Sequence, residues 1–409
     1  MPHPDFKNPP VAIPAPHMNE RPLTVVQVIP DLQPGGAANH TLEIAEALTR
    51  AKHRAVIVSE GGRMESAAER AGATVIKLPV ASKNPTQMIA NARKLAELSR
   101  DLNADLLHAQ SRAPAWSCLL ASRTSKVPFI ATYDGSFSER NPLKRLYNSV
   151  MVRGARVIAP GERLAKMVEE RYGTAREKIS VVPNAIDFEA FNPSHVDQTQ
   201  RALLASQWGL SSKDRVILLP GRLSRPKAPH LLVEAAGRLR EAGLKDFVCV
   251  FAGEHPERSG YTGDLWDQVH QAGLASRIRF AGHTEDMLSA YSLADIVVCT
   301  SVSQGGHRRA VLEAQAMGVP VAVSDSENGD EIVRAAPYIS DARATGVLYR
   351  SGDSAELAQT LFKLLAMGAP ARRAMGVRGR EWIASQFSKE SFSTRLLAVY
   401  RDVARKSSS

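Results

Sequence analysis

Short β-branched runs alternate with amphipathic stretches along this chain. The pattern predicts an α/β protein built of two Rossmann-like, doubly wound domains facing across a cleft. Two further observations support that class. A chain of 409 residues is too long for one ordinary core. The alternation also breaks once, between Asp187 and Asp214, where Asn192-Pro193-Ser194 and the polar run Asp197–Gln200 mark a linker.

Taken in order, residues 1–22 are rich in proline, lack a basic-then-apolar signal pattern and are expected to form a disordered leader. Residues 23–190 form the first domain. Its strands are expected at Thr24–Ile29, Arg54–Ser59, Thr74–Leu78, Ala104–His108, Phe129–Tyr133, Arg156–Ala159 and Ser180–Val182, with helices including Asn39–Arg50 and Thr86–Leu102. Residues 191–214 are the linker region, with a short helix near Arg201–Trp208. Residues 215–370 resume the pattern with strands at Arg215–Pro220, Phe247–Ala252, Ile278–Ala281, Ile296–Thr300, Pro320–Ser324 and Gly346–Tyr349. Helices are expected at His230–Ala242, Glu285–Leu293 and Arg309–Met317, and residues 371–409 as helices returning to the first domain. Apolar runs of this kind belong to parallel sheets covered on both faces.

Composition narrows the function classes. A hydrophobic fraction of 44% and a charged fraction of 23% are those of a globular protein. No apolar run approaches the roughly 20 residues that span a bilayer. The net charge of +10 suits phosphorylated or other anionic partners, or simply a solvated surface. Basic residues gather between Arg140 and Lys178, where Lys144, Arg145, Arg153, Arg156, Arg163 and Lys166 offer a face for an anionic membrane surface. No zinc-finger spacing or aromatic RNA-binding motif points to nucleic acid. Cys118, Cys249 and Cys299 stand apart in apolar segments and read as buried, reduced thiols in the cytoplasm.

Three motifs can carry chemistry. Pro34-Gly35-Gly36-Ala37 joins the first strand to its helix, as either a structural turn or a loop that lets backbone amides meet an anion. It is not GxGxxG, which counts against a dinucleotide-dependent dehydrogenase. Gly221-Arg222-Leu223-Ser224-Arg225-Pro226-Lys227 follows the first strand of the second domain, placing Arg222 and Lys227 where doubly wound sheets bind ligands; two cations there suit a diphosphate. In Arg309–Val321 a helix closes at Gly318, and Glu313 is its one acid, placed to accept from ribose hydroxyls. His108, at a strand end, is a candidate acceptor contact or a satisfied core histidine; Asn184 lies at the crossing between domains. The acids Asp325, Glu327, Asp330 and Glu331 fit a helix N-terminus more simply than a metal site.

The segments VVQVIPDLQPGGAANHTLEIAEAL, IATYDG, VVPNAIDFEAFNP, LLPGRLSRPKAPHLLVEAAGRL, FAGHTEDMLSAYSLADIVVCTS and VLEAQAMGVPVAVSD together resemble the family 4 retaining glycosyltransferases of GT-B architecture, from about Val25 to near the C-terminus. The resemblance implies a metal-independent transfer of sugar, with retention, from a UDP- or GDP-linked donor to a glycan or lipid-linked acceptor in surface polysaccharide or lipopolysaccharide synthesis. It implies no separate cofactor, and a place in the cytoplasm or on the inner face of the membrane. By the same resemblance Arg222 and Lys227 neutralise the diphosphate, Glu313 holds ribose, Gly35 and Gly36 border the reaction centre, and Glu331 lies near the donor.

Three departures from the family pattern stand out. Gly305 stands where the first glutamate of the Glu-x7-Glu motif belongs, His307 and Arg308 replace an aromatic-glycine pair, and Asp134 replaces the histidine of the TYHG-like segment Thr132-Tyr133-Asp134-Gly135. Asp134, Gln304 and Arg308 are therefore the candidates to contact the donor sugar. The alternative is a catalytically degenerate relative that serves as a nucleotide- or partner-binding subunit.

Overall fold

The computed structural model describes residues 21–135, 141–254, 260–302, 309–326 and 329–408. Gln304, Gly305, His307 and Arg308 lie outside them. In the first domain the chain runs β1 (Thr24–Val28), α1 (Gly36–Arg50), β2 (Arg54–Ser59), α2 (Glu65–Arg70), β3 (Thr74–Lys77) and α3 (Pro85–Asp101). It continues through β4 (Leu106–Ala109), α4 (Arg112–Ser125), β5 (Phe129–Thr132), α5 (Pro142–Asn148), β6 (Arg156–Ala159), α6 (Glu162–Tyr172) and β7 (Ile179–Val181). The strands form one parallel sheet in the order β3-β2-β1-β4-β5-β6-β7. Val26 pairs with Val56 on one side and Leu107 on the other, so β1 is central and buried on both faces.

The second domain opens with α7 (Gln198–Gln207), whose N-terminal amides of Thr199 and Gln200 are capped by the Asp197 carboxylate at 2.7 and 3.3 Å. Next come β8 (Arg215–Pro220), α8 (His230–Glu241), β9 (Phe247–Ala252), α9 (Tyr261–Gln271), β10 (Ile278–Gly282), α10 (Met287–Leu293), β11 (Ile296–Cys299) and α11 (Arg309–Ala316). The chain ends with β12 (Val321–Ser324), α12 (Gly329–Ile332), β13 (Gly346–Tyr349), α13 (Ser354–Ala366), α14 (Gly368–Gln386) and α15 (Lys389–Ser408). This sheet is also parallel, in the order β10-β9-β8-β11-β12-β13. The expected α/β pair of doubly wound sheets is present, and in each the strand order reverses once, at β1/β4 and at β8/β11.

Helices cover both faces of each sheet. In the first domain α3, α4 and α6 pack on one face through Leu95, Cys118 and Leu164, while α1 and α15 cover the other through Ile44, Leu48, Phe392, Leu396 and Tyr400. Cys118 and Cys249 are buried, and burial pushes the Cys249 thiol up to about 12, so it stays protonated and inert. The return to the first domain starts later than the residue pattern indicates. α14 stays on the second domain, against α11 and β13, held by Arg372, which is buried and bonds Asp295 at 2.8 Å and the Leu365 carbonyl at 3.1 Å. Only α15 crosses, to pack on α1 and β4.

The outgoing chain crosses at Ile186 and the returning chain at Ser388. The two crossings pair in a parallel bridge, with Ile186 donating its amide to the Phe387 carbonyl at 2.8 Å. Lys389 clamps the junction, reaching Asp187 at 2.6 Å and Glu46 of α1 at 3.3 Å. Two glycines test the packing in opposite senses. A Cβ on Gly376 in α14 would lie 1.7 Å from the Gly318 carbonyl oxygen, whereas one on Gly237 in α8 meets nothing within 4 Å. Thermal unfolding should show Gly376→Ala destabilised by about 1–3 kcal/mol and Gly237→Ala stabilised by about 0.5–1 kcal/mol.

Candidate functional site

Parallel strands direct their C-terminal ends the same way, and a ligand crevice opens where strand order reverses. In the first domain that place is the β1/β4 boundary. The loop after β1 delivers Gly35 as the N-cap of α1, with extended backbone and no side chain capping the helix. A Cβ on Gly36 would meet nothing within 4 Å, so the space beside the first turn is open, and the first amides of a helix can meet an anion. α1 is anchored from below. Gln27, a polar residue among the valines of β1, donates to the Thr41 carbonyl at 3.1 Å and accepts from Gln110 at 3.3 Å.

Asp134 follows β5, at the C-terminal end of a strand flanked by β4 and β6, with its side chain exposed at the mouth of a well-packed region. Burial pushes its carboxyl up, opposed by neighbouring His40 and Arg112. His108 does not reach the crevice. It is fully buried, its Nδ1 2.8 Å from the Tyr400 hydroxyl of α15 and its Nε2 2.8 Å from the Thr132 hydroxyl, so no ring edge remains for an acceptor. Asn184 is half-buried, two residues before the bridge at Ile186.

In the second domain the loop after β8 is held by its backbone. Gly221 takes a φ of 115°, and Gly253 lies so close that a Cβ there would sit 1.9 Å from the Gly221 oxygen. Leu223 donates to the Glu254 carbonyl at 3.1 Å, and the Lys227 carbonyl accepts from the Thr300 hydroxyl at 2.7 Å, tying the loop to the ends of β9 and β11. Arg225 lies over the Tyr261 ring at 5.0 Å and 3.5 Å from Asp264. Arg222 and Lys227, in contrast, are exposed and form no ion pair among the described residues. The site therefore presents two uncommitted cations on a fixed loop.

Glu313 sits in α11 with its side chain only 13% exposed, which sets aside an ordinary surface acid. It accepts from the Tyr291 hydroxyl at 2.8 Å and from Arg309 Nε at 3.1 Å. Arg309 also donates from Nη1 to Glu43 of α1 at 2.9 Å, joining the two domains. Burial works against ionisation at both glutamates. It prevails at Glu313, whose carboxyl is pushed up, whereas at Glu43 the nearby His40 and Arg309 hold the carboxyl below its ordinary range. The spacing of Arg309 and Glu313, four apart, is legible in the sequence; Glu43 and Tyr291 carry no such signal.

Glu331 meets the first domain. Its carboxylate accepts from the backbone amides of Glu162 and Arg163, at 3.1 and 2.6 Å, at the uncapped start of α6. Asp330 pairs with the Arg163 guanidinium. Burial pushes Glu331 up to about 7, although the two amides pull the other way. The carboxylate is thus engaged between domains. A cavity of about 250 Å³ lies apart from Arg222 and Lys227, between α1 and α15 at the junction, lined by Glu43, Glu46, Lys389 and Phe392.

The profile described as Glycosyltransferase Family 4 matches residues 34–190, and that described as Glycosyl transferases group 1 matches residues 214–367, one on each domain. The chain belongs to the GT-B glycosyltransferases of the family 4 type. It is 26% identical to the 2-deoxystreptamine glucosyltransferase of Streptomyces kanamyceticus over 345 residues, covering 79% of this chain and 84% of that protein. A crystal structure of a glycosyltransferase from Rickettsia africae ESF-5 superposes with a TM-score of 0.84 at 25% identity, covering 94% of this chain and 99% of that one. HepE of Anabaena, solved in complex with UDP, shares the fold with a TM-score of 0.79 at 18% identity, covering 93% of this chain and all of its own.

In this glycosyltransferase the buried His108 makes stability depend on pH. Burial lowers its pKa from 6.5 to about 3. Between those values the unfolded chain binds a proton that the native state does not, so stability is complete above about pH 6.5 and declines as pH falls toward 3. This one group should remove about 2 kcal/mol between pH 7 and 5. Urea unfolding of the wild type and of His108→Gln, at both pH values, should show the smaller decline in the variant.

Proposed function

We propose that this glycosyltransferase carries a sugar from a UDP- or GDP-linked donor to a glycan or lipid-linked acceptor, with retention of configuration and without a metal, in surface polysaccharide or lipopolysaccharide synthesis. The observation that carries this reading is the pair Arg222 and Lys227. Both are exposed and uncommitted on a backbone-anchored loop, at the same topological position that holds the open N-terminus of α1 in the facing domain. That the structural relative HepE was solved in complex with UDP supports a nucleotide-linked donor for this chain.

In the proposed reaction the bond between the anomeric carbon and the phosphate oxygen breaks, and its electron pair stays on the diphosphate. An acceptor hydroxyl bonds the anomeric carbon on the same face and passes its proton to the departing phosphate oxygen. Arg222 and Lys227 meet the charge that grows on the diphosphate, and the amides above Gly35 and Gly36 add a fixed dipole; such contacts are each worth about 3–4 kcal/mol at the transition state. Glu313 takes the ribose hydroxyls, since Tyr291 and Arg309 supply one donor to each of its oxygens and leave further lone pairs. The departures from the family pattern assign sugar recognition to Asp134, Gln304 and Arg308, and a guanidinium at 308 suits a donor sugar bearing a carboxylate. The Arg222 and Lys227 cations suit nucleotide binding in an enzyme and in a non-catalytic subunit alike, so turnover is what separates the two.

The acceptor side of the proposal places the first domain on an anionic membrane face. No helix among the described residues is long and apolar enough to cross a membrane. α5, however, exposes Leu143 at 76% and Leu146 at 55% beside Lys144 and Arg145, an apolar pair within a basic face.

Titration calorimetry tests the donor site. Arg222→Ala and Lys227→Ala should each weaken UDP or GDP binding roughly tenfold or more, the scale of a lost charge-assisted contact, and leave nucleoside binding nearly unchanged. Equal losses for nucleotide and nucleoside would overturn the diphosphate role. Donor turnover that the Lys227→Ala variant lacks would settle the choice between enzyme and subunit. Flotation with anionic vesicles tests the membrane face. Binding should fall between 0.05 and 0.5 M salt, on the order of the concentrations at which surface charges become screened, and should be lost in Leu143→Asp/Leu146→Asp. Binding indifferent to both changes removes the membrane from the proposal.

A further inference from the structure

Arg309 opens α11 in the second domain and touches two carboxylates on opposite sides of the cleft. Its Nε donates to Glu313 at 3.1 Å and its Nη1 to Glu43 at 2.9 Å. Both glutamate side chains are only 13% exposed, while Arg309 keeps 38%. The three groups carry two negative charges against one positive, so each carboxylate depends on the guanidinium for its counter-charge. Among the described residues Glu43 has one other charged neighbour, His40, and it stands off. Its Oε2 is buried without a hydrogen-bond partner, and the nearest candidate, His40 Nδ1, is 3.8 Å away and also unpartnered. Glu43 belongs to α1, the helix whose N-terminus forms the glycine turn, and Gln27 fixes that helix to β1.

Glu313 is held from its other side by Tyr291. That phenol is fully buried, and burial together with the adjacent Glu313 keeps it protonated and donating. The ring packs edge-on against Phe191 at 6.0 Å, so the Tyr291 contact belongs to the second domain alone. The Arg309 contact differs in kind, because one guanidinium orients Glu313 and grips α1 of the facing domain at once. The planar fork of an arginine serves two acceptors in fixed directions, which a lysine ammonium does not reproduce.

We propose that Arg309 is a positioning residue that couples cleft closure to nucleotide binding, orienting Glu313 for the ribose only while Nη1 holds Glu43 across the cleft. The proposal rests on the reading that Glu313 takes the ribose. Coupling of this kind is reciprocal: closure raises nucleotide affinity, and bound nucleotide favours closure by the same factor. It follows that Glu43, in the domain facing Arg222, Lys227 and Glu313, contributes to nucleotide affinity.

The test is titration calorimetry of the full chain with UDP or GDP, whichever binds, using Glu313→Gln, Arg309→Met, Glu43→Gln and the Arg309→Met/Glu43→Gln double variant. Small-angle scattering with and without nucleotide reads closure. Glu43→Gln and Arg309→Met should each weaken binding roughly five- to tenfold, within the usual range of coupling between sites. The double variant should be no weaker than Arg309→Met alone, and all three should scatter as a more open molecule. Arg309→Lys keeps a cation between the glutamates and serves if Arg309→Met does not fold; it too should lose the effect of Glu43→Gln. If Glu43→Gln binds nucleotide like the wild type while Arg309→Met binds weakly, Arg309 acts only within its own domain and the coupling is overturned. If Glu313→Gln binds like the wild type, the ribose role itself fails, and the coupling with it.

Discussion

The backbone hydrogen bond from Ile186 to Phe387 joins the two places where the chain passes between domains. With one crossing, the domains would be linked by a flexible tether. With two crossings paired side by side, the junction becomes a short two-stranded hinge, and Lys389 fastens it to Asp187 and to Glu46 of α1. The position of the hinge sets what the domains can do. Both sheets turn their reversal points toward the cleft, so small rotation about this junction changes the distance between the glycine turn and the Arg222–Lys227 loop without disturbing either core.

The cleft sorts its charges by commitment. Arg163, Arg225 and Arg309 are matched to carboxylates, and Glu331 is matched to the amides at the start of α6. These contacts shape the surface and hold the domains together. Among the described residues Arg222 and Lys227 are left over. In a chain with 52 basic residues against 42 acidic ones, unpaired cations on the open surface are unremarkable. On a loop whose backbone is anchored to three strand ends, they are pre-positioned, and a ligand that meets them bears little cost in ordering the loop.

Much of the fold was legible because it is written in local pattern. β2, β6, β8, β9 and β13 begin and end where the apolar runs do, since a buried parallel strand has no other reason to be apolar on both faces. The cation loop and the glycine turn were legible for the same reason: each sits at a strand-to-helix junction. What the sequence did not reveal depends on partners far along the chain. His108 ends a strand and looks like a cleft residue until Tyr400, 292 positions later, closes its free edge. Glu43 is one more acid on an amphipathic helix until Arg309, 266 positions later, reaches it. α14 carries the polar surface of a helix free to cross between domains, and the buried pairing of Arg372 with Asp295 that keeps it in place has no local signature.

The helix α15 supplies Phe392, Leu396, Leu397, Tyr400 and Val403 to the core beneath β1, β2 and β4, alongside residues from the first fifty positions of the chain. The first domain is therefore discontinuous, completed by a segment synthesised after the whole second domain. While the second domain is being synthesised, one face of the first domain's sheet is only partly covered and His108 lacks Tyr400. Vectorial folding, in which an N-terminal unit finishes before the next begins, is not open to this architecture. The second domain, whose sheet and covering helices lie within one uninterrupted stretch, can complete itself first, and the earlier-made half waits for it.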